Sequence, residues 1–140
     1  VDFSVGDYDF VGYVDVIAKD NEEIHIIDHK SKTLKSRSKR KTPTKTDVEL
    51  DEYLRQLYLY SIPIYNKYKE YPTKLNFNTF RNNSWIAEDF NLEKLEDTKK
   101  WVTNSIEEII LEEKWNPNVD YWFCKHLCDV SSECEYYSLM

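Results

Sequence analysis

Glycine is almost missing from this chain: two residues in 140, where about 7% is usual. A glycine-rich loop that cradles phosphates is therefore not available, which excludes P-loop and Rossmann readings. Long apolar runs are missing too, so no membrane-spanning helix is expected. The opening Val1-Asp2-Phe3-Ser4-Val5 has none of the features of a signal peptide, and without an initial Met the chain is expected to be a piece of a longer protein. Cysteine is scarce and late. Cys124, Cys128 and Cys134 are the only three, and an odd, tightly clustered count makes a poor disulfide framework. A reducing compartment, the cytoplasm, is the expectation.

What is present supports one packed domain. The apolar fraction is 41% and the aromatic fraction 15%, enough for a core and too much for a disordered chain. The net charge is −7, but it is unevenly placed. Lys30, Lys32, Lys35, Arg37, Lys39, Arg40, Lys41 and Lys45 fall in a stretch with no acidic residue, and all 26 acidic residues lie outside it. A basic block on an acidic body reads either as a placed anion contact or as a solvated loop.

Residues 8–17 are rich in aromatic and β-branched types and read as a strand, as do residues 24–30. The short polar link Lys19-Asp20-Asn21-Glu22-Glu23 makes them a hairpin. Apolar residues on both faces of each strand predict burial on both sides. Residues 31–45 are a loop by composition. Thr46-Asp47-Val48-Glu49 matches a capping box, so a helix should run from there to about Lys69, burying Leu50, Tyr53, Leu54, Leu57 and Ile64. Pro63 should kink or interrupt it. Residues 73–80 alternate like a strand with one wet face, Asn82-Asn83-Ser84 is a turn, and 85–90 is the partner strand. Asn91 can cap a helix to about Glu113, with Leu92, Leu95, Val102, Ile106, Ile109 and Ile110 on one side. No regular element is expected from Lys114 onward. The order ββ-α-ββ-α describes a mixed α/β domain.

Three residues carry chemistry. A turn centred between Asn21 and Glu22 sets Asp15 opposite Asp28, on one face and with Cβ atoms roughly 5 Å apart. Lys30, two residues on, shares that face. Two carboxylates so close repel, and burying them is costly without a cation. A hard divalent ion is the natural partner, and Mg²⁺ takes one or two carboxylates. Lys30 can then steady charge growing on a phosphate or hold a water. On the residues alone, a plain ion pair of Asp28 with Lys30 beside a surface Asp15 stays open.

Gly12-Tyr13-Val14-Asp15, followed by Ile26-Ile27-Asp28-His29-Lys30, resembles the core of the PD-(D/E)XK nucleases, with a first Asp on one strand and Asp-x-Lys on the next. Gln56-Leu57-Tyr58-Leu59-Tyr60 matches the Gln-x-x-x-Tyr motif of the RecB-like exonuclease branch. The late cysteines resemble the tail of AddB-like and CRISPR-associated members, where three late cysteines and one early one hold a [4Fe–4S] cluster. The resemblance implies a mixed β-sheet flanked by helices with a restriction-endonuclease-like core. It implies one nuclease domain over residues 1–140 with a cysteine-rich tail at 114–140, lacking the family's N-terminal helical segment. It also implies Mg²⁺- or Mn²⁺-dependent hydrolysis of DNA, expected to be exonucleolytic, with no membrane involved. A helicase or another recombination or repair subunit is the kind of protein partner it suggests.

In that reading Asp15, Asp28 and the backbone carbonyl of His29 bind metal. Lys30 acts on water or phosphate, while Gln56 and Tyr60 position the DNA or the lysine. Lys32, Lys35, Arg37, Lys39, Arg40 and Lys41 contact DNA. The early cysteine is absent here, so Cys124, Cys128 and Cys134 read as free thiols, as cluster ligands in a longer chain, or, with His126, as a zinc site. The imidazoles of His25 and His29 read as packed polar groups, Gln56 with Tyr60 as a helix-surface pair in the alternative, and Trp85, Trp101, Trp115 and Trp122 as core or edge packing. A silent DNA-binding or scaffold module of the same fold and a zinc-stabilised interaction domain are the rival functions.

Overall fold

The computed structural model describes residues 1–138. They divide into two compact units, Val1–Ile106 and the chain from Glu107 onward. The first unit opens with a small hairpin, β1 (Asp2–Val5) and β2 (Tyr8–Val11), turning at Gly6 with φ of 60°. Phe3 and Phe10 stack across it at 5.3 Å between ring centroids. Phe3, Val5 and Val102 form a small buried cluster against Leu59 and Ile62.

A second hairpin follows, β3 (Val16–Asp20) and β4 (Glu23–Lys30). Asn21 and Glu22 both take positive φ, 47° and 72°, the mirror-image turn that suits the twist of a two-residue hairpin. Its pairs run from Asp20–Glu23 to Val16–Ile27, the register that such a turn sets. The single strand expected over 8–17 is thus two strands in two sheets, separated by the irregular stretch Gly12–Asp15. Burial on both faces is also corrected. β4 hides Ile24, Ile26 and Asp28 and leaves its other face half open, and β3 is an edge strand with Ile17 exposed.

Residues 31–44 cross to α1 (Lys45–Tyr68). The cap is Thr44 rather than Thr46. Thr44 Oγ1 accepts the Asp47 N–H, and the Asp47 carboxylate accepts the Thr44 N–H in return. Ser38 decides between the two threonines, because its N–H and Oγ also donate to Asp47, at 2.7 and 2.6 Å. These hydrogen bonds, first of all that from the Ser38 hydroxyl, hold the Asp47 carboxyl well below the usual carboxylate range. α1 runs unbroken through Pro63 and ends at Lys69 in the left-handed region.

The chain then forms β5 (Lys74–Thr79), a single-turn 3₁₀ segment at Phe80–Asn82, β6 (Ser84–Asp89) and α2 (Leu92–Leu111), whose first turn is capped by the Asn91 side chain. The main sheet has the order β3-β4-β5-β6, with β4 and β5 parallel and the outer pairs antiparallel. The face of β5 expected to be wet is closed at one position, where Asn76 is buried and donates to the Ile26 carbonyl, and is partly open at Lys74 and Asn78. Leu50, Leu54, Leu57 and Ile64 of α1 pack with Ile24, Ile26, Leu75, Phe77 and Ile86 of the sheet and Leu95 of α2. Of the apolar side expected for α2, Leu95 and Val102 are buried, while Leu92, Ile109 and Ile110 are exposed.

The second unit holds two short helices where none was expected, α3 (Tyr121–His126) and α4 (Glu135–Ser138). Leu139 and Met140, the end of the expected tail, lie outside the described residues. None of the four tryptophans is core: Trp85, Trp101, Trp115 and Trp122 are all exposed. Among the described residues no helix is long and apolar enough to cross a membrane.

Candidate active site

The first-unit sheet delivers the sequence-singled residues to one strand end. Asp28 and Lys30 alternate with His29 on β4, so both project to the face that α1 covers. Asp28 is buried. Lys30 Nζ lies 2.8 Å from Asp28 Oδ2, yet the approach is off the hydrogen-bonding direction, and that oxygen is buried without a hydrogen bond. The ammonium also donates to Gln56 Oε1 at 3.2 Å, and Gln56 Nε2 donates to Tyr60 Oη at 2.8 Å. Asp28, Lys30, Gln56 and Tyr60 therefore form one continuous line of contact from β4 to α1. Gln56 and Tyr60 are not a free surface pair, since Tyr60 is buried.

Asp15 comes one residue before β3 begins, where the β3–β4 ladder has already stopped. Its Oδ2 accepts the His29 backbone N–H at 2.8 Å. This ties the Gly12–Asp15 stretch to the same end of β4. The His29 side chain points to the opposite face, where it is exposed and its Nδ1 lies 3.1 Å from Asn78 Nδ2.

Two further residues belong here that sequence reasoning did not place. Tyr53, read only as a core position of α1, turns its ring to Lys30 Nζ at 5.4 Å and to Lys32 Nζ at 5.6 Å from the centroid, distances at which a cation is drawn to the ring face. It precedes Gln56 by one helical turn, and that spacing was its available signal. Gly12 is the other. A Cβ built there would lie 2.7 Å from Cε1 of Tyr60, closer than any ordinary contact. Only glycine lets the chain pass the ring that ends the Lys30–Gln56–Tyr60 line. Gly12→Ala is therefore expected to displace Tyr60 and lower activity several-fold while the fold persists, and Tyr60→Phe in the same background should not lower it further. Activity and circular dichroism of the two variants check this.

The basic stretch is pinned to the body rather than free. Leu34 is buried in the main core, Ser38 is bonded to Asp47, and Arg37 bridges Asp51 at 2.6 Å and Glu88 at 3.0 Å. The hydrogen bond to Asp51 is the main reason that its guanidinium is held above its ordinary pKa. Lys32 pairs with Glu49. Two of the six cations singled out for DNA are thus engaged within the protein. Lys35, Lys39, Arg40 and Lys41 are exposed, and none of them makes an ion pair among the described residues.

In the second unit, Cys124, Cys128 and Cys134 are half-buried free thiols. Among the described residues no group of three or more His, Cys, Asp and Glu side chains is arranged to hold a metal. A hard divalent ion makes a smaller demand. Asp28 offers a buried oxygen with no hydrogen bond, Asp15 a second carboxylate, and the strand its carbonyls, an all-oxygen set that suits Mg²⁺ or Mn²⁺. The residues present fit such an ion.

The site is thus an Asp, an Asp-x-Lys strand of a mixed sheet and a helix that contacts the lysine. The family model of the PD-(D/E)XK nuclease superfamily matches residues 1–135, and the chain belongs to that superfamily. No curated protein and no solved structure gives a match. The fold is the restriction-endonuclease-like one expected from sequence, and the superfamily is generally one of metal-dependent nucleases acting on DNA.

Proposed function

We propose that this chain is a Mg²⁺- or Mn²⁺-dependent deoxyribonuclease of the RecB-like type that hydrolyses phosphodiester bonds from DNA ends. The observation that carries this reading is the contact line Asp28–Lys30–Gln56–Tyr60, because it joins the Asp-x-Lys strand to the Gln-x-x-x-Tyr helix through a single ammonium. Asp15, Asp28 and the His29 carbonyl would hold the ion, which when bound supplies Lewis-acid charge to the phosphate and a more acidic water. Lys30, aimed by Gln56, meets the charge that develops on the phosphate oxygens. Tyr60 fixes the Gln56 amide so that its oxygen, not its nitrogen, faces the ammonium.

Linear double- and single-stranded DNA incubated with the protein should be degraded in Mn²⁺ or Mg²⁺ and untouched in EDTA. End-labelled substrates should release short products first if the action is exonucleolytic. Binding without cleavage in every divalent metal would replace this reading with that of a silent DNA-binding module.

The exposed cations Lys35, Lys39, Arg40 and Lys41 are the DNA-backbone contacts in this reading. Each phosphate contact contributes about 0.9 to the slope of log affinity against log salt for duplex DNA and about 0.7 for single strands. Changing all four to Gln should flatten the duplex slope by up to roughly 3.6. Arg37→Gln should instead lower the melting temperature, because it frees Asp51 and Glu88. An unchanged slope in the fourfold variant would remove the loop from the DNA interface.

The cysteine tail extends the proposal. A [4Fe–4S] cluster on Cys124, Cys128 and Cys134 needs a fourth ligand, so it would form only with a thiolate from outside these residues. In this reading the enzyme works in the cytoplasm beside a helicase or another recombination or repair subunit.

A further inference from the structure

Tyr53 stands one turn before Gln56 on α1 and Tyr60 one turn after it, so the three share a stripe of the helix. The Tyr53 ring is half-buried at the margin of the core, in a T-shaped pair with Phe77 of β5 at 6.4 Å between centroids. Packing there asks only for an apolar side chain. What packing does not ask for is the ring's other contact, its face toward Lys30 Nζ at 5.4 Å. Lys32 Nζ lies 5.6 Å from the same centroid but is paired with the Glu49 carboxylate, so that second charge has a counter-ion of its own. The counter-ion of Lys30 is Asp28.

An ammonium has three N–H donors and no acceptor. Lys30 gives one of them to Gln56 Oε1. Asp28 Oδ2, 2.8 Å away, attracts the ammonium by charge and not through an aligned hydrogen bond. An Asp28 carboxylate that ligates a divalent ion shares its charge with that ion, and its hold on Lys30 weakens. Gln56 is then the remaining polar partner, and one bond to a neutral amide leaves a flexible side chain free to swing. The Tyr53 face keeps its attraction in both states, because a hard ion takes oxygen ligands and not a ring. The ring also takes up no N–H, so the other donors stay free for a phosphate oxygen or a water.

We infer that Tyr53 is a positioning residue for the cleavage reaction, its ring face holding the Lys30 ammonium in place once Asp28 is committed to the metal. This rests on the nuclease reading and deepens it, since it adds to the line from Asp28 to Tyr60 a contact that acts without using a donor of the lysine. The feature that matters is the ring face and not the phenol, so phenylalanine serves there and leucine, which fills the same packing space, does not.

The test has two arms, run on wild type, Tyr53→Phe and Tyr53→Leu. The first needs no cleavage. In protein labelled with ¹³C-lysine, the Lys30 side-chain CH₂ signal next to the ammonium, assigned by its loss in Lys30→Ala, should lie upfield of a free lysine through the shielding above a ring face. It should stay there on adding Mg²⁺ in wild type and Tyr53→Phe, and move to the free position in Tyr53→Leu. The second arm is digestion of linear DNA in Mg²⁺. Tyr53→Leu should lower kcat by about tenfold, the weight of a partly desolvated cation–π contact, with KM little changed, and Tyr53→Phe should cut nearly as fast as wild type. A wild-type signal that returns to the free position in Mg²⁺ would overturn the inference whether or not DNA is cut. Tyr53→Leu cutting at the wild-type rate, or Tyr53→Phe losing as much as Tyr53→Leu, would overturn it and leave the nuclease reading standing. No cleavage by wild type would overturn that reading and the positioning role with it, even with the Lys30 signal held upfield.

Discussion

Lys30→Ala is expected to lower the rate of DNA cleavage by about 10²–10³-fold, the usual loss for one positioned donor to a developing oxyanion, with little change in metal or DNA affinity. The reasons lie in where the ammonium is held. It stands 2.8 Å from Asp28, accepts direction from Gln56 at 3.2 Å, and faces the Tyr53 ring. Three contacts on one flexible side chain fix a charge that can only donate. If Lys30 merely neutralised Asp28, then a bound divalent ion would make it redundant, and the alanine variant would cut normally. If it acts on the phosphate or the water, the carboxylates still hold the ion and the exposed loop cations still hold DNA, so only the chemical step is lost. Lys30→Arg should rescue poorly, because a planar fork cannot occupy the space between Asp28 and Gln56 as a point charge does. Digestion of linear DNA in Mn²⁺, run beside calorimetric Mn²⁺ titration and an anisotropy binding curve, separates the two outcomes. An alanine variant that cuts as fast as wild type would remove Lys30 from the chemistry.

How much of this was legible follows from how local each determinant is. The β3–β4 register was readable because it depends on a two-residue turn and on counting outward. The helices α1 and α2 were readable from 3.6-residue periodicity. The break at Gly12–Asp15 was not, because residues 8–17 are a continuous run of strand formers, and the contacts made there, Gly12 with the Tyr60 ring and Asp15 with the His29 N–H, lie far along the chain. The true cap of α1 was hidden by a near repeat. Thr44-x-x-Asp47 and Thr46-x-x-Glu49 both fit the pattern, and the choice is made by Ser38 bonding to Asp47 while Glu49 is drawn to Lys32. For the site, the pairing of Gln56 with Tyr60 follows from helical spacing, but its link to Lys30 crosses 26 positions and had only the motif to suggest it. The engagement of Arg37 was invisible, since its partners Asp51 and Glu88 lie 14 and 51 positions away. A basic residue in a basic stretch looks like a DNA contact until the fold supplies its carboxylates.

The second large effect is expected at Asp28. Asp28→Ala should abolish calorimetrically detectable Mn²⁺ binding, whereas Asp15→Ala should only weaken it, because the two carboxylates differ in environment. Asp28 is buried, at the end of the strand, with an oxygen that receives no hydrogen bond. Such an oxygen is costly to keep buried, the Lys30 ammonium at 2.8 Å offsets only part of that cost, and a divalent ion beside it offsets more. Asp15 is exposed and already accepts the His29 N–H through one oxygen, so water can replace part of what it gives. The variant has a structural consequence too. Without the carboxylate, Lys30, whose side chain is only 20% exposed, loses its counter-charge, and a half-buried ammonium without a partner destabilises the strand end. Asp28→Asn keeps the size and removes the charge, so it distinguishes a metal defect from a packing defect. It should keep the packing of the strand end and still fold, with a melting temperature lowered by the lost counter-charge of Lys30, and fail to bind Mn²⁺. Full Mn²⁺ binding by Asp28→Asn would place the ion elsewhere and dissolve the site as described here. Loss of binding with the fold intact would leave the buried oxygen of Asp28 as the principal ligand and Lys30 as the group it holds in readiness beside the phosphate.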